Sequence, residues 1–261
     1  MLKLGVFGAS GRVGRLLLES ASKNDALVVS SVYARDGMEF LEHNKHNYFV
    51  ATTIDSFLEN CECVIDFSST QGTLELLKVI KDFPRPMVIG TTGFSIQEFQ
   101  ILKDSSEVVP ILYASNMSRG VAVLDKIAGI VSKVLSGSEI EITEIHHHHK
   151  KDAPSGTALR LAQTCARARN LDLSQVRVSG RDGNVGSRRK DEIGVFALRG
   201  GDVVGKHTIG FYLDGEYLEL THNATNRITF AKGALDAASW IVKQKAGLYG
   251  IEDILHITNC M

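Results

Sequence analysis

Apolar positions in the first half of the chain come in short unbroken runs, each followed by a small or polar turn and then by helical spacing. Leu2 to Phe7 is such a run, followed by the glycine-rich residues 8–14 and a helix entered at Arg15-Leu16-Leu17-Leu18. A second strand is expected at 26–33. Cys63 to Phe67 leads through Ser68-Ser69-Thr70 into a helix over 73–81 with apolar Leu74, Leu77 and Ile80. Met87 to Gly90 leads through Thr91-Thr92-Gly93 into a helix at about 95–103, and Val109 to Tyr113 leads into Ala114-Ser115-Asn116-Met117. Short continuous apolar strands alternating with helices predict βα units of a parallel sheet. Residues 37–60 are polar and poorly patterned, with only a short helix expected at 55–60.

Beyond an apolar-rich helix over 119–135 the period changes. Residues 139–146 set Glu139, Glu141 and Thr143 against Ile140 and Ile142, and then Glu144 against Ile145, the period-two pattern of a strand with one buried face. Strands then follow one another at 193–199, 203–212 and 216–223, joined by Gly200-Gly201-Asp202 and Asp214-Gly215 turns, which predicts a mixed or antiparallel sheet. The glycine-rich, basic stretch 177–190 reads as a solvated or mobile loop. Residues 228–243, carrying Trp240, read as an apolar-faced helix long enough to return to the first half. The expectation is an α/β chain with two domains. A Rossmann-like parallel-sheet, dinucleotide-binding domain spans 1–117 and is completed by about 228–261; an α+β domain with a mixed sheet spans 118–227.

Placed after the first strand and before a helix, Gly8-Ala9-Ser10-Gly11-Arg12-Val13-Gly14 has the chemistry of a phosphate cradle. Glycines admit a pyrophosphate to the backbone, and the helix N-terminus stabilises it. The spacing is Gly-x-x-Gly-x-x-Gly, looser than Gly-x-Gly-x-x-Gly. Ligands of parallel sheets bind beyond the carboxyl ends of strands, so residues 8–13, 90–92 and 114–117 are expected to line one cofactor cleft. The second strand ends at Ala34-Arg35-Asp36, where an acid favours NAD and an arginine accommodates the 2′-phosphate of NADP.

Composition narrows the partners. A formal charge of −1 over 261 residues gives no reason to expect nucleic acid or an anionic membrane, so a small-molecule ligand is expected. Cys61, Cys63, Cys165 and Cys260 form no disulfide framework. Neither a secretory leader nor a membrane-length apolar run is seen, and a cytoplasmic protein is expected.

The densest chemistry lies at Glu141 to Ala158. The strand at 139–146 delivers four histidines, His146 to His149, to a sheet edge or end, where they are candidate general acids or bases. In extended chain His146 and His148 share one side, and His147 and His149 the other. Asp152-Ala153-Pro154-Ser155-Gly156-Thr157 then opens a helix, its proline suited to the first turn. The first-turn amides, the Ser155 and Thr157 hydroxyls and the charge of Lys150 point to a carboxylate ligand. An affinity tag is set aside because the run is internal and continues a patterned strand. A metal is not expected, because alternate side chains diverge and no zinc-spaced Cys/His pair recurs.

The segment Glu-Ile-x-Glu-x-His-x-x-x-Lys-x-Asp-x-Pro-Ser-Gly-Thr-Ala over Glu141–Ala158 resembles the signature of the 4-hydroxy-tetrahydrodipicolinate (dihydrodipicolinate) reductase family. Gly8 to Gly14, Asp66-Phe67-Ser68, Gly90 to Gly93, Ala114 to Met117, Gly201 to His207 and His222 to Ala234 extend the resemblance over essentially the whole chain. It implies NAD(P)H-dependent reduction of a cyclic dicarboxylate to tetrahydrodipicolinate with loss of water, in diaminopimelate and lysine biosynthesis, by a cytoplasmic homotetramer assembled through the second domain. It implies that His146 is a proton donor or acceptor and Lys150 the second proton donor, with His147, Gly156 and Thr157 touching substrate. The resemblance also implies nucleotide contacts at Gly8, Ala9, Ser10, Gly11, Arg12, Val13, Arg35, Gly90, Thr91, Thr92, Ala114, Ser115, Asn116 and Met117. Many relatives carry an acid just before the arginine, where this chain has Ala34. Asp36, next to Gly37, is expected to turn into the loop, so both NADPH and NADH are expected to work with NADPH preferred.

Overall fold

The computed structural model describes residues 1–43 and 47–255. Two compact units are present: Met1–Arg119 together with Arg227–Met261, and Gly120–Asn226.

In chain order, the first unit contains β1 (Leu2–Phe7), α1 (Arg12–Ala21), β2 (Leu27–Tyr33), α2 (Met38–His43), β3 (Phe49–Val50), α3 (Ile54–Glu59), β4 (Cys63–Asp66), α4 (Thr70–Lys78), β5 (Met87–Ile89), α5 (Ile96–Ser105) and β6 (Pro110–Tyr113). The second is built from α6 (Arg119–Val134), β7 (Glu139–His146), α7 (Gly156–Ala168), α8 (Leu173–Val176), β8 (Arg177–Val178), β9 (Ile193–Arg199), β10 (Gly205–Leu213) and β11 (Glu216–Ala224). The chain closes with α9 (Ile228–Ile241), β12 (Gly247–Tyr249) and α10 (Ile251–Ile254), which belong to the first unit.

Among the described residues the first unit forms one sheet of order β12-β6-β5-β4-β1-β2-β3, parallel throughout. Helices cover both faces, which is why β4 and β5 are buried at every position and read as unbroken apolar runs. Phe57, Leu76, Ile80, Leu102 and Ile111 fill one layer. Helices α1 and α9 pack together, and α9 lies against β4, β5 and β6. A Cβ on Gly233 of α9 would lie 1.8 Å from the Met117 carbonyl oxygen, so only glycine lets α9 seat the 114–117 loop this closely. Strand order reverses between β1 and β4, which opens a crevice at their carboxyl ends.

Helix boundaries differ from the expected ones where a cap lies inside a small-residue segment. Helix α1 begins at Arg12 behind Gly11, and α4 begins at Thr70 because the Ser69 hydroxyl accepts from the Gly72 amide at 3.2 Å. Strands β3, β8 and β12 span two or three residues, too few to show a period. Cys61, Cys63 and Cys165 are buried free thiols, and Cys260 lies outside the described residues. No described helix is long and apolar enough to cross a membrane.

The second unit is a mixed sheet of order β11-β10-β7-β9-β8, with β10 antiparallel to β7 and β11, and β9 parallel to β7. One face carries Ile140, Ile142, Ile193, Val195, Ile209 and Phe211 against Ala158, Leu161, Ala162 and Cys165 of α7. The expected loose loop at 177–190 is instead tied down. Strand β8 pairs with β9, Arg181 donates to Glu141 at 2.8 and 3.1 Å and to Glu192 at 2.5 Å, and Arg188 reaches Glu141 at 3.1 Å. Glu141 on β7 and Glu192, the residue just before β9, hold the arginines of a segment whose composition reads as solvated.

Candidate active site

Strand β7 is the central strand of its sheet and His146 is its last residue. The phase break in the sequence marks where the buried face changes chemistry. Glu144, not Ile145, continues the inward row of Ile140 and Ile142, and its side chain is fully buried. A buried carboxylate is costly unless every acceptor position is met, and here they are met. Arg199 of β9 donates through both Nη atoms, at 2.9 Å to Oε2 and 3.0 Å to Oε1. His146 Nδ1 lies 2.5 Å from Oε2, and the Ser155 amide donates to Oε1 at 2.9 Å. Burial opposes the charge on Glu144, but Arg199, His146 and the Ser155 N–H together hold its carboxyl below the usual range. An ionised Glu144 can only accept, so the proton at this contact sits on His146 Nδ1. Nε2 is then left to exchange protons.

Around that ring the backbone packs closely at Gly205, where a Cβ would lie 3.1 Å from His146 Nε2. The His207 ring stands edge-on to His146 at 5.1 Å between centroids. His207 is 3% exposed, and its Nε2 meets the Ser155 hydroxyl at 3.2 Å. Burial lowers the pKa of His146, and with Lys150 and Arg199 nearby it outweighs the attraction of Glu144. Burial pushes His207 down to about 4.

The histidine run does not stay extended. The His147 amide donates to the Val203 carbonyl at 2.7 Å, and the Lys150 amide donates to the His147 carbonyl at 3.1 Å, closing a turn over His148 and His149. The expected alternation of sides therefore ends at His146. His148 and His149 are exposed, and His148 Nδ1 is fixed to the Gly201 carbonyl at 2.8 Å. Lys150 is paired with Asp152, 2.8 and 2.9 Å from its two oxygens, and its side chain is 21% exposed.

Helix α7 starts at Gly156 with Ser155 as N-cap, so Pro154 precedes the cap, after a cis peptide, and does not occupy the first turn. The Ser155 hydroxyl, expected to face a ligand, is turned inward: it accepts from the Ala158 amide at 3.2 Å and contacts His207. Gly156 and Thr157 occupy the first two helical positions, and a Cβ on Gly156 would meet nothing within 4 Å. The space beside the helix start is therefore open at Gly156. Among the described residues no three His, Cys, Asp or Glu side chains gather as metal ligands.

In the first unit a cleft of about 300 Å³ is lined by Gly8, Ser10, Gly11, Arg35, Asp36, Ser68, Ser69 and neighbouring residues, on both sides of the reversal in strand order. The turn holds its own shape: the Gly8 and Ala9 amides donate to the Tyr33 carbonyl, at 2.8 and 3.1 Å, and Gly11 donates to Gly8 at 3.0 Å. Gly8 has φ +83°, and a Cβ on Gly14 would lie 2.4 Å from the Gly8 carbonyl oxygen. Gly11 gives α1 no side-chain cap, which leaves its first turn, Arg12 and Val13 included, without a side-chain acceptor. Such a cradle fits the pyrophosphate of a dinucleotide. Asp36, expected to turn into the loop, lines the cleft, while Ala34 is 6% exposed. Arg35 Nη2 lies 3.5 Å from the Ser69 hydroxyl.

Residues 90–92 and 114–117 follow β5 and β6, next in the sheet beyond β4. Buried Asp66 ties in the first of these loops: it accepts from the Ser68 amide at 2.8 Å, Thr73 Oγ1 at 2.5 Å and Thr91 Oγ1 at 3.3 Å. Ala9 and Ala114 are core residues, and Met117 is 1% exposed, so they offer a ligand backbone rather than side chain. Glu144, Gly205 and His207 lie in the motifs of the resemblance but are given no role there, and Arg199 is not singled out; the change of phase at Glu144-Ile145 is the signal that marks Glu144. Nor is Ser69 singled out, which caps α4 at the cleft.

Residues 2–117 match the family model for the N-terminus of dihydrodipicolinate reductase, and residues 120–255 match that for its C-terminus. The chain is 58% identical over 257 residues to the 4-hydroxy-tetrahydrodipicolinate reductase of Helicobacter hepaticus, covering 98% of this chain and 100% of the relative. It is 54% identical over 257 residues to that of Sulfurimonas denitrificans, with the same coverage. Among solved structures it resembles a dipicolinate-bound dihydrodipicolinate reductase from Paenisporosarcina sp. TG-14, with a TM-score of 0.79, 23% identity and coverage of 97% and 99% of the two chains.

Proposed function

The chain belongs to the dihydrodipicolinate reductase family, and from that premise we propose that His146 and Lys150 are the groups that move protons in its reaction. That reaction is the NAD(P)H-dependent reduction of 4-hydroxy-tetrahydrodipicolinate to tetrahydrodipicolinate, in diaminopimelate and lysine biosynthesis. One hydride and one proton enter the ring and one water leaves. The nicotinamide, when bound, supplies the hydride. The protein's share is position and protons.

One observation carries this assignment: His146 has Nδ1 committed to a buried, ionised Glu144, beside Lys150 and just ahead of an open helix start. His146 exchanges a proton at Nε2 while Nδ1 stays on Glu144. Lys150, whose ammonium is held by Asp152, supplies the second proton and a positive charge for a substrate carboxylate. His147, Gly156 and Thr157 hold the dicarboxylate, with the helix start receiving one carboxylate. Residues 8–13, 90–92 and 114–117 would hold the nucleotide, and Arg35 would pair with a 2′-phosphate through two charge-assisted bonds. With no carboxylate at position 34, NADPH is preferred and NADH also works.

In this reading the 118–227 segment binds substrate and assembles a cytoplasmic homotetramer. The exposure of Tyr217 (66%) and Leu218 (40%) on edge strand β11 supports assembly through this sheet. A coupled assay tests the chemistry. Purified protein should consume NADPH only when the product of dihydrodipicolinate synthase is supplied, and turnover without that product would overturn the reading. Sedimentation should give a species four times the monomer mass.

A further inference from the structure

Glu144 presents a choice between two roles. A carboxylate paired with Arg199 alone would be a structural ion pair of the sheet. Its four acceptor positions are divided otherwise: two take the guanidinium, one takes His146 Nδ1 and one takes the Ser155 amide that opens α7. The two contacts beyond Arg199 go to the imidazole and to the cap of the helix that carries Gly156 and Thr157. Arg199 is itself anchored by donating to the Asp152 and Leu198 carbonyls, each at 2.6 Å, so the pair cannot swing as a unit.

We propose that Glu144 is a positioning residue: held by Arg199, it keeps His146 in the Nδ1-protonated tautomer and fixes the start of α7 relative to that ring. The proposal rests on His146 being the proton-transfer group. The tautomer follows from acceptor geometry. An ionised carboxylate offers Nδ1 only lone pairs, so the hydrogen resides on Nδ1 and Nε2, in the space left by Gly205, is the atom that takes or gives a proton. A glutamine cannot satisfy the same partners. It has one oxygen and one NH2, whereas Arg199, Ser155 and His146 Nδ1 all present hydrogens to Glu144, so one side of the amide must meet donors with a donor. The adaptable partner is His146, which can move its proton to Nε2 and accept at Nδ1. Glutamine at 144 should therefore shift the tautomer and take the acceptor role from Nε2. The charged or titratable groups facing His146 are Glu144 on β7, Arg199 on β9, His207 on β10 and Lys150 in the turn after β7. Glu144 is the one anion among them, and its removal also lowers the affinity of the ring for a second proton.

The test uses the full-length protein with 15N-labelled histidine and four forms: parent, Glu144→Gln, His146→Gln and the double variant. The single Glu144→Gln change should move His146 toward the Nε2-protonated tautomer in two-bond 1H–15N spectra and shift its limb of the kcat/KM pH profile to lower pH. It should lower kcat by about 10- to 100-fold, the scale for losing a carboxylate that orients a functional histidine, with the dissociation constant for NADPH unchanged. In the His146→Gln background the same change should cost less than about threefold, because its effect runs through the missing ring. An unchanged tautomer, or losses that multiply in the double variant, would overturn the proposal. If Glu144→Gln does not fold, Glu144→Asp keeps the charge but withdraws it by one methylene. It should lower kcat and the Nδ1-protonated population together, and parental values of both would overturn the proposal. Parental turnover by His146→Gln would instead refute the role of His146 itself, whatever Glu144 does.

Discussion

His207 makes the stability of the second unit depend on pH in a narrow window. The side chain is 3% exposed, its Nε2 is spent on Ser155 and its Nδ1 has no hydrogen-bond partner, so the folded protein offers a second proton nothing. Burial, then the neighbouring His146, lowers its pKa from the ordinary 6.5 to about 4. Between those values the unfolded chain binds a proton at this position and the folded chain does not. Stability therefore rises with pH across the window: the contribution is complete above 6.5 and is lost as pH falls toward 4. At roughly 1.4 kcal/mol per pH unit, the interval corresponds to on the order of 3 kcal/mol, a substantial part of the about 5–15 kcal/mol that holds a domain folded. The assay is urea unfolding at fixed protein concentration from pH 7.5 down to 4, for the parent and for His207→Gln, which cannot titrate. His146 and His222 are also depressed by burial and destabilise in the same direction in both proteins, so the comparison isolates His207 together with its coupling to these two rings. The parent's stability relative to the variant should fall by about 3 kcal/mol across the window. A difference that stays flat, or that grows as pH falls, would show that His207 is protonated in the folded protein.

Substitution at the proton-transfer groups should affect rate and spare the cofactor: His146→Gln and Lys150→Ala each lower kcat by roughly two to four orders of magnitude, with NADPH affinity by fluorescence titration kept. A matching loss of cofactor affinity would show the roles misassigned. Thr157→Val should act mainly on the substrate KM, raising it by the equivalent of about 1.5–3 kcal/mol for a lost hydrogen bond to a charged group; collapse of kcat at constant KM would place Thr157 in the chemistry. For Arg35→Ala, kcat/KM should fall far more with NADPH than with NADH. A parent that favours NADH by about tenfold, or about 1.4 kcal/mol, would refute the assigned preference, with Asp36 in the cleft as the carboxylate responsible.

Much of this molecule is legible without coordinates because its information is local. Strands covered on both faces must be apolar at successive positions, so β1, β4, β5 and β6 stand out as runs, and the tight turn between β1 and α1 writes glycines at 8, 11 and 14. The groups from His146 to Thr157 are neighbours in the chain, so their association survives whatever fold surrounds them. Tertiary structure alone decided what each of them contacts. Glu144 is a surface-type residue by composition, and it becomes a hub because Arg199, 55 positions away, and Ser155, 11 away, reach it from another strand and a helix. Composition likewise assigned the arginines at 181 and 188 to solvent, and Glu141 of β7, far away in the chain, holds both. The Ser155 hydroxyl faces inward for the same reason: His207 arrives on β10 from 52 positions away. Periodicity records which face of an element is buried. Which partner waits there depends on strand register and helix placement, and those are set by contacts between segments far apart in the chain.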